Sequence, residues 1–137
     1  MIIVLDASTV VSAALKEDSF PEQALLRAIS EPNRIIISQE VEDEYREILA
    51  RSKFDRFVTI QRRQRILDIV LVKAERVEPT ELVRECLDPQ DDKYLSLAAA
   101  GRADVIISGD EKHLLPMHPW RGIPILRAAE YVATSSS

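Results

Sequence analysis

Four short apolar runs punctuate the chain. Residues 2–5 (IIVL), 34–37 (RIII), 104–107 (DVII) and 123–126 (IPIL) are rich in β-branched side chains and do not alternate with polar ones. This is the pattern of strands buried on both faces of a parallel sheet. Pro124 has no N–H to give a ladder, so the last run is expected at a sheet edge. Between the runs the apolar spacing turns helical. Helices are expected over 8–16, 21–30, 39–51, 58–77 and 91–100, with a final turn or two over 127–133. Pro21 stands in a favourable early position of the second. Val41, Tyr45, Ile48 and Leu49 recur at the 3.6-residue spacing of one helix face, and Ile66, Ile69, Val70, Ala74 and Val77 share a side of the longest. Strands alternating with helices predict the α/β class, a three-layer α/β/α sandwich around a mostly parallel sheet. Sites in such sheets form beyond the carboxyl ends of the strands.

The bulk composition narrows the reading. A chain of 137 residues with 46% hydrophobic and 30% charged residues suits one core, expected over 1–133 with a loose tail at 134–137. No run of 18 apolar residues is present, so no membrane span is expected. The opening MIIVLD lacks the features of a signal peptide, and the single Cys86 suits a reducing cytoplasm. The net charge of −5 argues against a basic nucleic-acid coat. It leaves a metal-dependent nuclease open, because such an enzyme gathers carboxylates whose charge bound cations offset.

Acids fall where the strands end. Asp6 follows the first run, Ser38 the second with Glu44 on the helix beyond it, and Gly109-Asp110 the third. The segment DPQDDKY sets Asp88, Asp91 and Asp92 before or at a helix start. Carboxylates brought this close repel and raise one another's pKa unless a cation bridges them. Hard oxygen donors suit Mg²⁺, with Mn²⁺ as a substitute, and such an ion activates water against a phosphodiester. Each acid also has a plainer role. Asp6 can cap the next helix, Asp91 and Asp92 suit a helix N-terminus, Asp110 suits a turn, and Glu44 suits a solvated helix face. Periodicity does not choose between Glu42 and Glu44, which flank the apolar stripe.

Across roughly residues 1–132 these blocks resemble the PIN-domain family. IIVLDAS resembles its opening strand and Asp. SQEVEDEYREILAR resembles its second block, with Glu44 before Tyr45. DPQDDKYLSLAAAGRADVIISGDEKHLL resembles its third and fourth blocks and is the most specific segment. The subgroup resembled is that of toxin components of toxin–antitoxin pairs. The resemblance implies a Rossmann-like fold and cleavage of RNA phosphodiesters by metal-activated water, with no covalent intermediate. It implies Asp6, Glu44, Asp92 and Asp110 as catalytic metal ligands, choosing Glu44 over Glu42 and Asp92 over Asp91. Ser8, Asp91 and Ser108 would support them. A further acid often follows the Asp110 position; here Glu111, Lys112 and His113 stand there. An antitoxin protein and a second copy of the chain are the implied partners, alongside RNA.

His113 and His118 have no cysteine at a zinc spacing, and a surface or helix-end role suits them. Arg62, Arg63 and Arg65 in QRRQR form the densest basic patch and are candidates for RNA contact, although such a run also makes a solvated face. Trp120 suits packing under the last loop. Two alternatives compete with the nuclease: a PIN-fold module that binds RNA or protein without cutting, and a phosphotransfer protein of phosphatase or receiver type. The phosphatase would need a second Asp where Ser8 stands.

Overall fold

A computed structural model describes residues 1–134. The tail expected at 134–137 lies outside them except for Thr134, whose N–H and hydroxyl both bond Tyr131 O. Five strands form one sheet: β1 (Ile2–Leu5), β2 (Arg34–Ile37), β3 (Glu75–Arg76), β4 (Val105–Ile107) and β5 (Ile125–Leu126). Their order is β3-β2-β1-β4-β5 and every pairing is parallel. Helices α1 (Ala7–Leu15), α2 (Phe20–Ala28), α3 (Gln39–Leu49), α4 (Ile60–Lys73), α5 (Asp92–Gly101) and α6 (Ala128–Ala133) fill the connections.

The handedness of the crossovers sorts the helices into layers. From β1 the chain steps outward to β2 and β3, then returns past both to β4. Right-handed connections therefore put α1–α4 on one face and α5 on the other. The packing agrees: α1 lies against α2, α3 and α4, while α5 lies against β1, β2 and β4. Strand residues Ile3, Val4, Leu5, Ile106 and Ile107 are fully or almost fully buried between these layers, as their unbroken apolar runs require. Four helices start on a side chain that accepts a backbone N–H: Asp6 for α1, Ser19 for α2, Ser38 for α3 and Thr59 for α4. Gly101 ends α5 hard against β2, where a Cβ would come 2.3 Å from Ile36 Cδ1.

One expected element needs correction. The helix expected over 58–77 stops at Lys73, and Glu75–Arg76 pair with Ile36 and Ile37 as an edge strand. Val77, which continues the helical stripe on paper, donates its N–H to Ile37 O at 2.9 Å instead. A two-residue charged edge strand has no apolar run to announce it. The β5 strand does lie at an edge, and Pro124 just outside it contributes only its carbonyl, to Ile106 N–H. No helix among the described residues is long and apolar enough to cross a membrane.

Candidate active site

The strand order determines which acids can meet. Central β1 puts Asp6 at the middle of the carboxyl edge, with Asp110 beyond β4 on one side and α3 beyond β2 on the other. The turn Pro89–Asp91 then brings the start of α5 over the same edge. The result is an open cleft of about 910 Å³. Its lining includes Asp6, Glu40, Asp43, Glu44, Glu47, Asp88, Asp91 and Asp110, against two basic residues, Arg51 and Lys93. Both basic residues are already paired, Arg51 to Glu47 at 2.9 Å and Lys93 to Glu44 at 2.5 Å. Fixed positive charge therefore does not balance this wall.

Asp6 is 3% exposed and held on every side. Its Oδ1 accepts from Ser8 Oγ at 2.7 Å and from Thr9 N–H and Oγ1, both at 2.9 Å, while Oδ2 accepts from Ser108 Oγ at 2.5 Å. Burial raises its pKa, against the pull of these donors. The same two serines tie in the β4 loop: Ser8 Oγ accepts Gly109 N–H at 3.1 Å, and Ser108 Oγ accepts Asp110 N–H at 2.9 Å. A Cβ on Gly109 would sit 3.3 Å from Ser8 Oγ, so this close approach favours glycine. The helix-capping role of Asp6 is real, and it coexists with a place in the cleft.

Asp91 and Asp110 form the unbalanced part. Asp91 Oδ2 is buried and has no hydrogen-bond partner among the described residues. Asp91 is pushed up to about 8, first by burial, then by the neighbouring Asp110 carboxylate and by the charges of Asp88 and Asp6. Asp110 goes the other way. Burial opposes its ionisation, but Asp91 and the N–H groups of His113 and Lys112 hold it below the usual carboxylate value. A pair displaced in opposite directions keeps a proton between its members unless a cation takes that place. Asp88 caps the 89–91 turn through Gln90 N–H at 2.9 Å. Ligand atoms of Asp88, Asp91 and His113 all lie within 4.8 Å of one another. The donor set, an orphaned buried carboxylate oxygen among further hard oxygens, fits a small divalent cation.

The expected site residues are distributed unevenly. Asp6, Glu44 and Asp110 reach the cleft; Asp92 does not line it. Asp92 Oδ1 instead accepts Glu85 N–H at 3.1 Å and Cys86 N–H at 2.8 Å, pinning the loop before α5. Asp91, its neighbour, lines the cleft. Adjacent residues at a helix start point about 100° apart, and neither polarity nor spacing says which one turns inward. Glu44 lines the cleft with both oxygens engaged, by Lys93 and by the Tyr94 hydroxyl, which also accepts Ala7 N–H. Glu42, the competing acid, is buried under Arg46 and Arg76.

Arg62 and Arg63, the candidates for RNA contact, are both engaged within the fold. Arg62 is bound to Ala13 O, Ala14 O and Glu22, closing the end of α1. Arg63 is 1% exposed and donates to Leu49 O, Arg51 O and Asp55. Charge counting reads both as surface, but α4 packs on α1 and α3 and turns them inward. Arg65 stays exposed over a separate hollow with Gln61, Gln64 and Asp68. Sequence reasoning assigns His113 a surface or helix-end role and Asp88 none; His113 Nδ1 lies 3.2 Å from Asp110 Oδ2, beside Asp91 and Asp88. The one available signal was the i, i+3 spacing from Asp110 to His113. His118 is structural, its Nδ1 accepting Ile125 N–H at 2.9 Å.

The fold is similar to the crystal structure of VapBC2 from Rickettsia felis bound to a DNA fragment from their promoter. The TM-score is 0.58 at 21% identity, over 93% of this chain and 98% of that one. No curated protein sequence matches the chain. The profile described as the PIN domain matches residues 2–112, from β1 through the Asp110 turn, and so takes in the whole acidic cleft. The chain belongs to the PIN-domain family.

Proposed function

We propose that this chain is a metal-dependent endoribonuclease that hydrolyses RNA phosphodiester bonds, and the toxin partner of an antitoxin protein in the cytoplasm. The observation that carries the catalytic half is the unpartnered, buried Asp91 Oδ2 beside Asp110 at the carboxyl edge of the sheet. Asp6, Asp91 and Asp110 would hold the ion, Mg²⁺ or Mn²⁺, with Glu44 and Asp88 at its margin. When bound, the ion supplies an acidified water and charge to offset the phosphodiester. The chain's own residues do the rest. Ser8, Thr9 and Ser108 fix the Asp6 carboxylate in one orientation. Gly109 lets the Asp110 turn approach Ser8. Lys93 and Tyr94 keep Glu44 in place on the α3 wall. With the lining bases already paired, substrate phosphate must rely on the bound cation for charge.

The toxin half rests on the subgroup resemblance, and the fold shared with VapBC2, a complex solved on promoter DNA, supports it. A second copy of the chain is a further partner on this reading. The test is cleavage of a fluorogenic RNA by the purified full chain with Mg²⁺ or Mn²⁺. Cleavage that stops with EDTA and in Asp6→Asn and Asp91→Asn is expected; cleavage persisting in excess EDTA rules the metal mechanism out. One observation favours the non-cleaving module: Glu44 has both oxygens closed by Lys93 and Tyr94. A wild-type chain that binds Mn²⁺ but cleaves no RNA, DNA or model diester would establish that alternative.

A further inference from the structure

We propose that His113 is a nitrogen ligand of this metal centre, and that it biases the site toward first-row transition ions, Mn²⁺ among them, over Mg²⁺. The inference rests on the metal-dependent reading above and extends it to a residue outside the expected acid set. His113 Nδ1 donates to Asp110 Oδ2 at 3.2 Å and lies 3.9 Å from Asp91 Oδ2, the oxygen that lacks a partner, so a bound cation would take the place of the Nδ1 proton. With Asp88 included, the candidate donor atoms of Asp88, Asp91 and His113 stay within 4.8 Å of one another. An octahedral shell with bonds of about 2.1 Å puts neighbouring donors about 3 Å apart and opposite donors about 4.2 Å apart. The 3.2 and 3.9 Å spacings fall within that range, and the 4.8 Å limit that takes in Asp88 exceeds it, so Asp88 would have to move inward to share the ion.

The backbone of His113 is held where this requires. Its N–H donates to Asp110 Oδ1 at 3.1 Å, and its carbonyl accepts from Cys86 Sγ at 3.6 Å. Glu111, the nearest acid after Asp110, turns instead to Arg127 at 3.5 Å. The ring nitrogen of His113 is thus the donor that this turn offers to the cluster. Imidazole suits Fe²⁺, Ni²⁺ and Zn²⁺ best and Mn²⁺ least of the first-row ions, whereas Mg²⁺ keeps to oxygen ligands and water. A centre with one nitrogen among carboxylates discriminates where an all-carboxylate centre does so less.

Electron spin echo spectroscopy of the full chain loaded with Mn²⁺ alone tests this directly. The wild-type spectrum is expected to carry a ¹⁴N coupling that changes to the ¹⁵N pattern in uniformly ¹⁵N-labelled protein. Only Nδ1 of His118 is engaged, by Ile125 N–H, so the nitrogen is assigned by His113→Gln, in which the coupling is expected to disappear. In calorimetric titrations, His113→Gln should weaken Mn²⁺ binding about tenfold or more and Mg²⁺ binding by less than about threefold. Mn²⁺ bound without nitrogen coupling overturns the inference and leaves the metal-dependent reading standing, as does an equal loss for both ions in the variant. A wild-type chain that binds neither ion overturns both.

Discussion

The two walls of the cleft solve the same electrostatic problem differently. On the α3 wall Glu44 meets a built-in cation, Lys93 Nζ at 2.5 Å, and a phenol, Tyr94. On the β4 wall Asp91 and Asp110 face each other with Asp88 and Asp6 nearby, and among the described residues no ammonium or guanidinium reaches Asp91 Oδ2. One wall is neutralised by a fixed cation, and the other keeps its carboxylates together without one among the described residues. The difference teaches that the acid count of a cleft does not identify its ligands. The informative acid is the one that folding leaves uncompensated.

Breaking the uncompensated wall should have the largest effect. Asp91→Asn or Asp6→Asn is expected to lower RNA cleavage at least about a hundredfold, measured on a fluorogenic substrate, with circular dichroism unchanged. Breaking the neutralised wall should instead cost stability. Lys93→Met strands Glu44 half-buried beside Tyr94, and urea melts are expected to show a loss of about 3 kcal/mol. A loss near zero would show that the pair is no more than a solvated contact.

The walls should also part company with pH. Asp91 is raised to about 8 in the folded chain, so between about pH 4 and 8 the folded state binds more protons than the unfolded one. Stability of the metal-free chain therefore falls as pH rises through that window, and Asp6, also raised, adds in the same direction. Asp110, held low, acts in the opposite sense, contributing stability that is lost at more acidic pH. Thermal melts of metal-free protein should decline from pH 5 to 8, and Asp91→Asn should flatten the decline. A wild-type profile that rises over this range contradicts the assignment. The smallest effect is expected from Asp92→Asn. The amide oxygen can still accept Glu85 and Cys86 N–H, so cleavage should stay within about threefold of wild type.

Much of this was legible in the sequence, for identifiable reasons. The apolar runs at 2–5 and 34–37 became β1 and β2 without adjustment, because a strand buried on both faces must be apolar throughout. Asp6 and Asp110 could be placed because they sit immediately beyond such strands. Glu75–Arg76 could not, because an exposed edge strand constrains side-chain polarity weakly. The choice between Asp91 and Asp92 was equally hidden. It depends on how the turn from Pro89 to Asp91 rotates into α5, which no periodicity records. The inward placement of Arg62 and Arg63 was hidden too, since guanidinium groups that bond helix carbonyls look in sequence like a phosphate-binding patch.

The central claim is that Asp91, not Asp92, completes the metal site with Asp6 and Asp110. Anomalous diffraction at the manganese edge, from crystals of the full chain soaked in Mn²⁺, tests it most directly. A peak within about 2.3 Å of an Asp91 carboxylate oxygen and bonded to Asp110 or Asp6 is the expected result. A peak coordinated by Asp92, with Asp91 outside its shell, would contradict it.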